Sequence, residues 1–299
     1  MKLKIKNSYI AAIFCILIPT ASVAQKGKAS YRNGQDMTEY SFPLCGDVEV
    51  IEYQYVYINP DTGKEYPSNL TTIEFNEIGD VAFITPYINP DIDVVFPATL
   101  RLIYNLCGQN TEIIESTYSD NEEYVCKTSY TYDAMGRKVR GERYNSEGKI
   151  YRTEEYEYRY DSMGNLSRVI CRENGILDWS RSYDTYMNIV EIKIYYHDFV
   201  WKIINNTYDE NGNIVRSEEY TLNKFKEMRY HTVTTYAYDE NGFLMSSEEM
   251  KSMSDTETVI NIDRKTYRCD LYGNVIEETY YPNGSLFPKS RMKYKIKYR

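Results

Sequence analysis

Seven copies of one short line constrain this chain more than any other feature: an aromatic, then Asp or Asn, two variable residues, and Gly. The line reads Phe75-Asn76-x-x-Gly79, Tyr132-Asp133-x-x-Gly136, Tyr144-Asn145-x-x-Gly148 and Tyr160-Asp161-x-x-Gly164. It continues as Tyr208-Asp209-x-x-Gly212, Tyr238-Asp239-x-x-Gly242 and, with Cys in place of the aromatic, Cys269-Asp270-x-x-Gly273. A recurring unit fixes architecture before any chemistry is considered. Asp or Asn caps its own backbone two residues on, the next two residues suit a type I turn, and Gly takes the left-handed conformation of a bulge. The predicted unit is a β-hairpin.

The flanking residues fit strands. Two residues after Gly stands an aliphatic residue (Val81, Ile150, Leu166, Ile214, Leu244, Val275), and eight after it a tyrosine (Tyr87, Tyr144, Tyr156, Tyr220, Tyr281). Both offsets are even, so both side chains share one face. Tyrosines also alternate before the turns, as at Tyr156, Tyr158 and Tyr160, and alternation marks strands rather than helices. A degenerate copy at Tyr183-Asp184 carries Met187 where Gly is expected. The predicted fold class is therefore all-β: an elongated, twisted antiparallel sheet of tandem hairpin repeats. Residues 116–299 form the repeat region and 25–115 a more divergent β region. In the latter, Tyr57-Ile58-Asn59-Pro60-Asp61 returns as Tyr87-Ile88-Asn89-Pro90-Asp91.

The chain starts with Lys2, Lys4 and Lys6, an apolar run from Tyr9 to Ile18, and Ala21-Ser22-Val23-Ala24. That layout predicts a cleavable signal peptide over 1–24 and an extracytoplasmic location: periplasm, cell surface or secreted. Nothing later approaches the roughly 20 apolar residues of a membrane helix, so no integral membrane segment is expected after cleavage. The net charge is −9, which disfavours nucleic acid as a partner. Five cysteines follow residue 24: Cys45, Cys107, Cys126, Cys171 and Cys269. Related contexts around Cys45-Gly46 and Cys107-Gly108 pair these two as one disulfide reading; five buried free thiols are the other.

The form Tyr-Asp-x-x-Gly-Asn-[Leu/Ile], at Tyr160 to Leu166 and Tyr208 to Ile214, resembles the YD repeat of RHS-type proteins. The resemblance covers about Tyr130 to Leu286. It implies hairpin repeats in an extended or spiralling sheet, in an exported or surface protein. No toxin-like domain follows the repeats, and the resemblance transfers no catalytic residue.

Candidate functional residues are few. The 33 tyrosines have two readings, an aromatic platform for sugars or a protein, and the packing layer of a thin sheet. Asp209-Glu210-Asn211-Gly212 and Asp239-Glu240-Asn241-Gly242 resemble the start of a calcium loop. Glutamate pairs at Glu154-Glu155, Glu218-Glu219 and Glu248-Glu249 could have added a carboxylate stripe, but neighbours on a strand point to opposite faces. No cofactor or metal is expected. With His197 and His231 as the two histidines and no triad or phosphate loop, the chain reads as a non-enzyme. A polysaccharide hydrolase using a carboxylate pair is the alternative. The degenerate repeat gathers Trp179, Met187, Tyr195, Tyr196 and Trp201 and is the predicted partner-binding surface. The function expected is an envelope scaffold, structural or adhesive, binding a protein or glycan. A free sheet edge over Lys293 to Arg299 is expected to accept a partner strand.

Overall fold

A computed structural model describes residues 44–85, 97–119, 122–197, 199–253 and 259–299. The signal-peptide segment 1–24 and the repeat at Tyr87 to Asp91 lie outside them. Eighteen strands follow in chain order. The first nine are β1 (Val48–Ile58), β2 (Glu65–Phe75), β3 (Val81–Thr85), β4 (Pro97–Tyr104), β5 (Asn110–Ser119), β6 (Glu122–Tyr132), β7 (Lys138–Tyr144), β8 (Ile150–Tyr160) and β9 (Leu166–Glu173). The second nine are β10 (Ile176–Tyr183), β11 (Ile189–Tyr196), β12 (Phe199–Tyr208), β13 (Ile214–Leu222), β14 (Met228–Tyr238), β15 (Leu244–Met253), β16 (Val259–Cys269), β17 (Val275–Tyr281) and β18 (Ser290–Tyr298).

Every strand pairs antiparallel with its chain neighbours, and β1 also pairs with β18, from Val48↔Tyr298 to Tyr57↔Ser290. The sheet is thus a closed up-and-down barrel. This overturns two expectations. The sheet is neither elongated nor open, and the strand Lys293 to Arg299 offers no edge, because β17 holds one side of it and β1 the other. Closure pairs every strand and removes the exposed backbone that an open sheet presents at both ends.

The hairpin expectation holds in detail. At Asp161, the amides of Met163 and Asn165 donate to Oδ1 at 2.9 and 2.8 Å, and the Gly164 amide donates to the Asp161 carbonyl. The register slips by one residue beside the preceding aromatic, between Arg159 and Tyr160, as a bulge requires. Gly164 has φ 88°, a conformation that costs L side chains about 1–2 kcal/mol. The turn recurs wherever the line was read. It also forms at Tyr104-Asn105-Leu106-Cys107-Gly108, an eighth full copy beyond the seven read from the sequence. Asp184 and Asn223 build it without Gly, holding Met187 at φ 67° and Lys226 at φ 66°.

In an up-and-down barrel, alternate connections lie at alternate ends. All eight turns from β2–β3 to β16–β17 fall at one end, and each has this same form. That end is called the turn rim below. Residues Leu44 to Asp47 and Arg299 also lie there, with the Arg299 guanidinium on Asp47 and on the carbonyls of Phe75 and Asn76.

Alternation gives the wall two unlike faces. Inward lies a buried cluster behind the seam: Leu44, Val48, Ile51, Ile73, Val81 and Val275 are its most enclosed members. Tyr130, Tyr267 and Tyr294 pack against or within it. Substituting Gly for Met187 or Lys226 should stabilise the fold by about 0.5–1 kcal/mol each, because it removes left-handed strain. Denaturant midpoints compared with wild type check this.

Candidate functional site: the inner wall and the turn rim

Four of the repeat aromatics do more than pack. The hydroxyl of Tyr104 donates to the Val81 carbonyl at 2.7 Å, that of Tyr208 to Ile189 at 2.9 Å, and that of Tyr238 to Ile214 at 2.8 Å. Tyr132 reaches the Asn110 carbonyl at 2.5 Å in the same way. In each case the acceptor is the residue just after the previous rim turn, so each tyrosine clips its hairpin to the one before. Cys269, which replaces the aromatic, keeps the contact weakly, with Sγ 3.7 Å from the Leu244 carbonyl. Burial pushes the phenols of Tyr238 and Tyr267 up.

Beyond the apolar seam, the inner wall turns ionic. Arg152 lies 2.9 Å from Glu173, 3.6 Å from Glu154 and 3.9 Å from Asp178. Arg143 approaches the same Glu154 at 3.6 Å, and the Tyr156 hydroxyl donates to it at 2.7 Å. Burial pushes the Asp178 carboxyl up, and the Glu173 charge adds to the shift. Burial raises Glu115 against the opposing pull of Arg143. The acids outnumber the two arginines, so protonation of one relieves like-charge repulsion at modest cost.

The glutamate pairs split between faces as alternation demands. Glu154 is buried and Glu155 exposed; Glu219 pairs with Lys202 at 2.7 Å, while Glu218 pairs with Arg216 at 2.6 Å on the opposite face. No group of three or more metal-ligating side chains occurs among the described residues, and Asp209 spends its carboxylate on its own turn. All five cysteines are free: Cys45 and Cys171 are buried and Cys107 is exposed, which overturns the Cys45–Cys107 disulfide. Burial raises four of the thiols, Cys269 to about 12, so these are not nucleophiles at neutral pH. His231 stacks on Tyr220 with ring centroids 4.6 Å apart, and His197 sits in the β11–β12 turn at φ 53°.

The predicted partner surface is divided. Trp179 lies on β10 edge-on to Tyr156, 6.1 Å between centroids, and faces Ile194 across the ladder. Tyr195 and Tyr196 end β11, and Trp201 opens β12, so these four residues occupy the half of the wall away from the turn rim. Met187 stands at the turn rim itself, at the other end of β10 and β11.

The turn rim was missed as a feature by sequence reasoning. The two outermost positions of its turns carry exposed apolar side chains: Leu106 is fully exposed, Tyr186 85% and Leu271 82%. Between the Asp209 and Asp239 turns the tips are instead polar, and a hollow of about 350 Å³ opens there, lined by Asp209, Asp239, Glu240, Tyr236 and Tyr238. A second hollow, about 300 Å³, lies at the opposite end, lined mainly by Tyr57, Pro60, Pro282, Phe287 and Pro288.

The chain matches no protein-family model and no curated protein. Among solved structures it is similar to a porin-like protein from Bacteroides uniformis: 12% identity, TM-score 0.40, covering 85% of this chain and 98% of that one. A porin-like protein from Bacteroides vulgatus gives 10% identity and TM-score 0.37, covering 82% and 97%. Likeness at this level carries no argument about function. The RHS-type resemblance is corrected by the closed eighteen-stranded barrel and by the absence of any matching family; the signal-peptide reading likewise gains no support from a relative.

Replacing Arg152 with Met should destabilise the fold by about 2–4 kcal/mol, since it takes the paired cation from Glu173 and Asp178 and leaves Glu154 with Arg143 alone. The effect of Asp178→Asn should depend on pH. A carboxyl whose folded pKa is raised binds protons more readily in the folded state, so wild-type stability falls as pH rises through that pKa. The variant should lack this loss and gain most on wild type near neutrality, as unfolding curves at several pH values will show.

Proposed function

We propose that this chain is a non-enzymatic, water-facing barrel that acts as a binding scaffold in the cell envelope, with a protein or glycan as its partner. One observation carries the reading: the outer face is laced with ion pairs. Lys127 meets Glu112 at 2.9 Å, Arg140 meets Glu142 at 2.9 Å, and Arg159 and Arg172 share Glu157 at 2.8 and 2.9 Å. Across the seam, Lys295 and Lys297 reach Glu52 and Glu49 at 3.2 and 2.7 Å. A barrel that spans a bilayer needs an apolar band about 25 Å tall, and one Arg or Lys at its midplane costs about 2–4 kcal/mol. Mid-strand charges on so many strands favour water outside the wall. No helix among the described residues is long and apolar enough to cross a membrane either.

The non-enzymatic part is supported by the four thiols that burial raises, the separated histidines and the engagement of the inner carboxylates with arginines. The partner-binding part is supported by Trp179, Tyr195, Tyr196 and Trp201 on β10 to β12, in the half of the wall away from the turn rim, and by a separate apolar hollow of Tyr57 and Phe287 on the other side of the barrel at that end. The envelope setting extends the sequence expectation for the chain's start. The full chain, expressed in its native envelope, should be released by an alkaline carbonate wash without detergent. Retention in the washed bilayer overturns the water-facing wall. Titration with soluble envelope glycans should shift tryptophan emission if a glycan is the ligand, and a null titration with capture of a defined protein assigns the partner class instead.

A further inference from the structure

The turn rim has a property that its turn geometry does not require. The Asx turn is built from the first side chain, backbone hydrogen bonds and the φ of the fourth residue, and it requires nothing of the side chains at the second and third positions. Those free positions are apolar around most of the ring: Leu271, Ile78, Leu106, Met135, Met163 and Tyr186, the least exposed of them 66% accessible. Following strand order, these six turns are consecutive, interrupted only by the seam. The two remaining turns carry Glu210-Asn211 and Glu240-Asn241 instead. Scattered exposed apolar residues need no explanation, but a contiguous arc of protruding ones along one end does. The arc is a row of tips on the end of a cylinder, the shape that meets a flat surface.

The acidic gap in the arc sharpens the identity of that surface. Its hollow combines the Glu240 carboxylate with the negative charges of Asp209 and Asp239, whose oxygens accept their own turn amides, and with the rings of Tyr236 and Tyr238. Carboxylates and aromatic rings together suit an ammonium or quaternary ammonium group. A chain of net charge −9 is repelled by anionic lipid, whereas a zwitterionic head group offers its cationic end to this notch.

We propose that the turn rim is a docking face for a zwitterionic lipid surface, with the apolar tips entering the interface and a cationic head group seated between the Asp209 and Asp239 turns. The barrel then stands end-on at the membrane with its charged wall in water. This goes beyond the scaffold reading and fails separately from it: a carbonate wash tests the wall, and vesicle binding tests the rim.

The full chain is to be sedimented with phosphatidylcholine vesicles and with phosphatidylglycerol vesicles. Binding to the first, and weaker binding to the second, is expected. The triple variant Leu106→Asp, Met135→Asp, Met163→Asp should bind phosphatidylcholine at least about tenfold more weakly, by loss of apolar transfer into the interface, with an unchanged melting temperature. Glu240→Lys should also weaken that binding, because it places a like charge against the head group. No binding of folded wild-type protein to phosphatidylcholine overturns the proposal, and so does binding that the tip variant leaves intact. A concentration-dependent dimer abolished by the tip variant, without vesicle binding, assigns the rim to a second copy and likewise overturns it.

Discussion

The side-chain oxygen of a single Asp or Asn, accepting two backbone amides from its own turn, is the interaction on which this barrel depends. It closes each rim hairpin in five residues and places one residue in the left-handed region. It also sets a bulge beside the aromatic that precedes it. Because strand side chains alternate, a slip of one residue would exchange the two faces of the wall. A turn fixed this tightly prevents that slip once per hairpin. Four tyrosine hydroxyls then tie their hairpins to the preceding ones, so register is passed on at those joints.

The consequence of fixed register is a wall whose two faces obey different physics. Inward, charges are partly desolvated and must be matched in groups, as Arg152 is by three carboxylates. Outward, the pairs are exposed and each contributes about 0–1 kcal/mol. Their role is to keep the outside of a thin sheet wet and unsuited to pairing or to lipid. Stability comes instead from the apolar cluster behind the seam and from closure itself.

Much of the local structure was legible in the sequence. Asp161 and Gly164 announce their turn through residue chemistry alone, and Glu154-Glu155 splits between faces because strands alternate. The copy at Tyr104 to Gly108 is equally legible, its Asn105-x-x-Gly108 line overlapping the Cys107-Gly108 context. Closure was not legible. Nothing in Lys293 to Arg299 distinguishes an edge strand with protective lysines from a seam strand whose lysines meet Glu65, Glu52 and Glu49. That distinction depends on total strand number and tilt, which no local pattern encodes. Likewise, Met187 looked like a broken repeat. Its turn is intact, because Asp184 supplies the same hydrogen bonds and only the left-handed residue is strained. The candidate site suffered most: Met187 and the two tryptophans are near in sequence, yet a strand length separates them across the wall.

Closing the barrel between its first and last strands also has a kinetic meaning. Each of the other seventeen pairings joins neighbours along the chain and can form as soon as a hairpin is made. The seam joins Val48 to Tyr298, so it waits for the whole chain. Until then β1 keeps one unpaired edge while a growing sheet exposes the other, and loop closure over such a span is slow. Until the seam forms the sheet has two unpaired margins, and β18, with its lysines, is the strand that ends that exposure. A chain truncated before Ser290 would keep nearly all of its hairpins and still lack the means to finish folding.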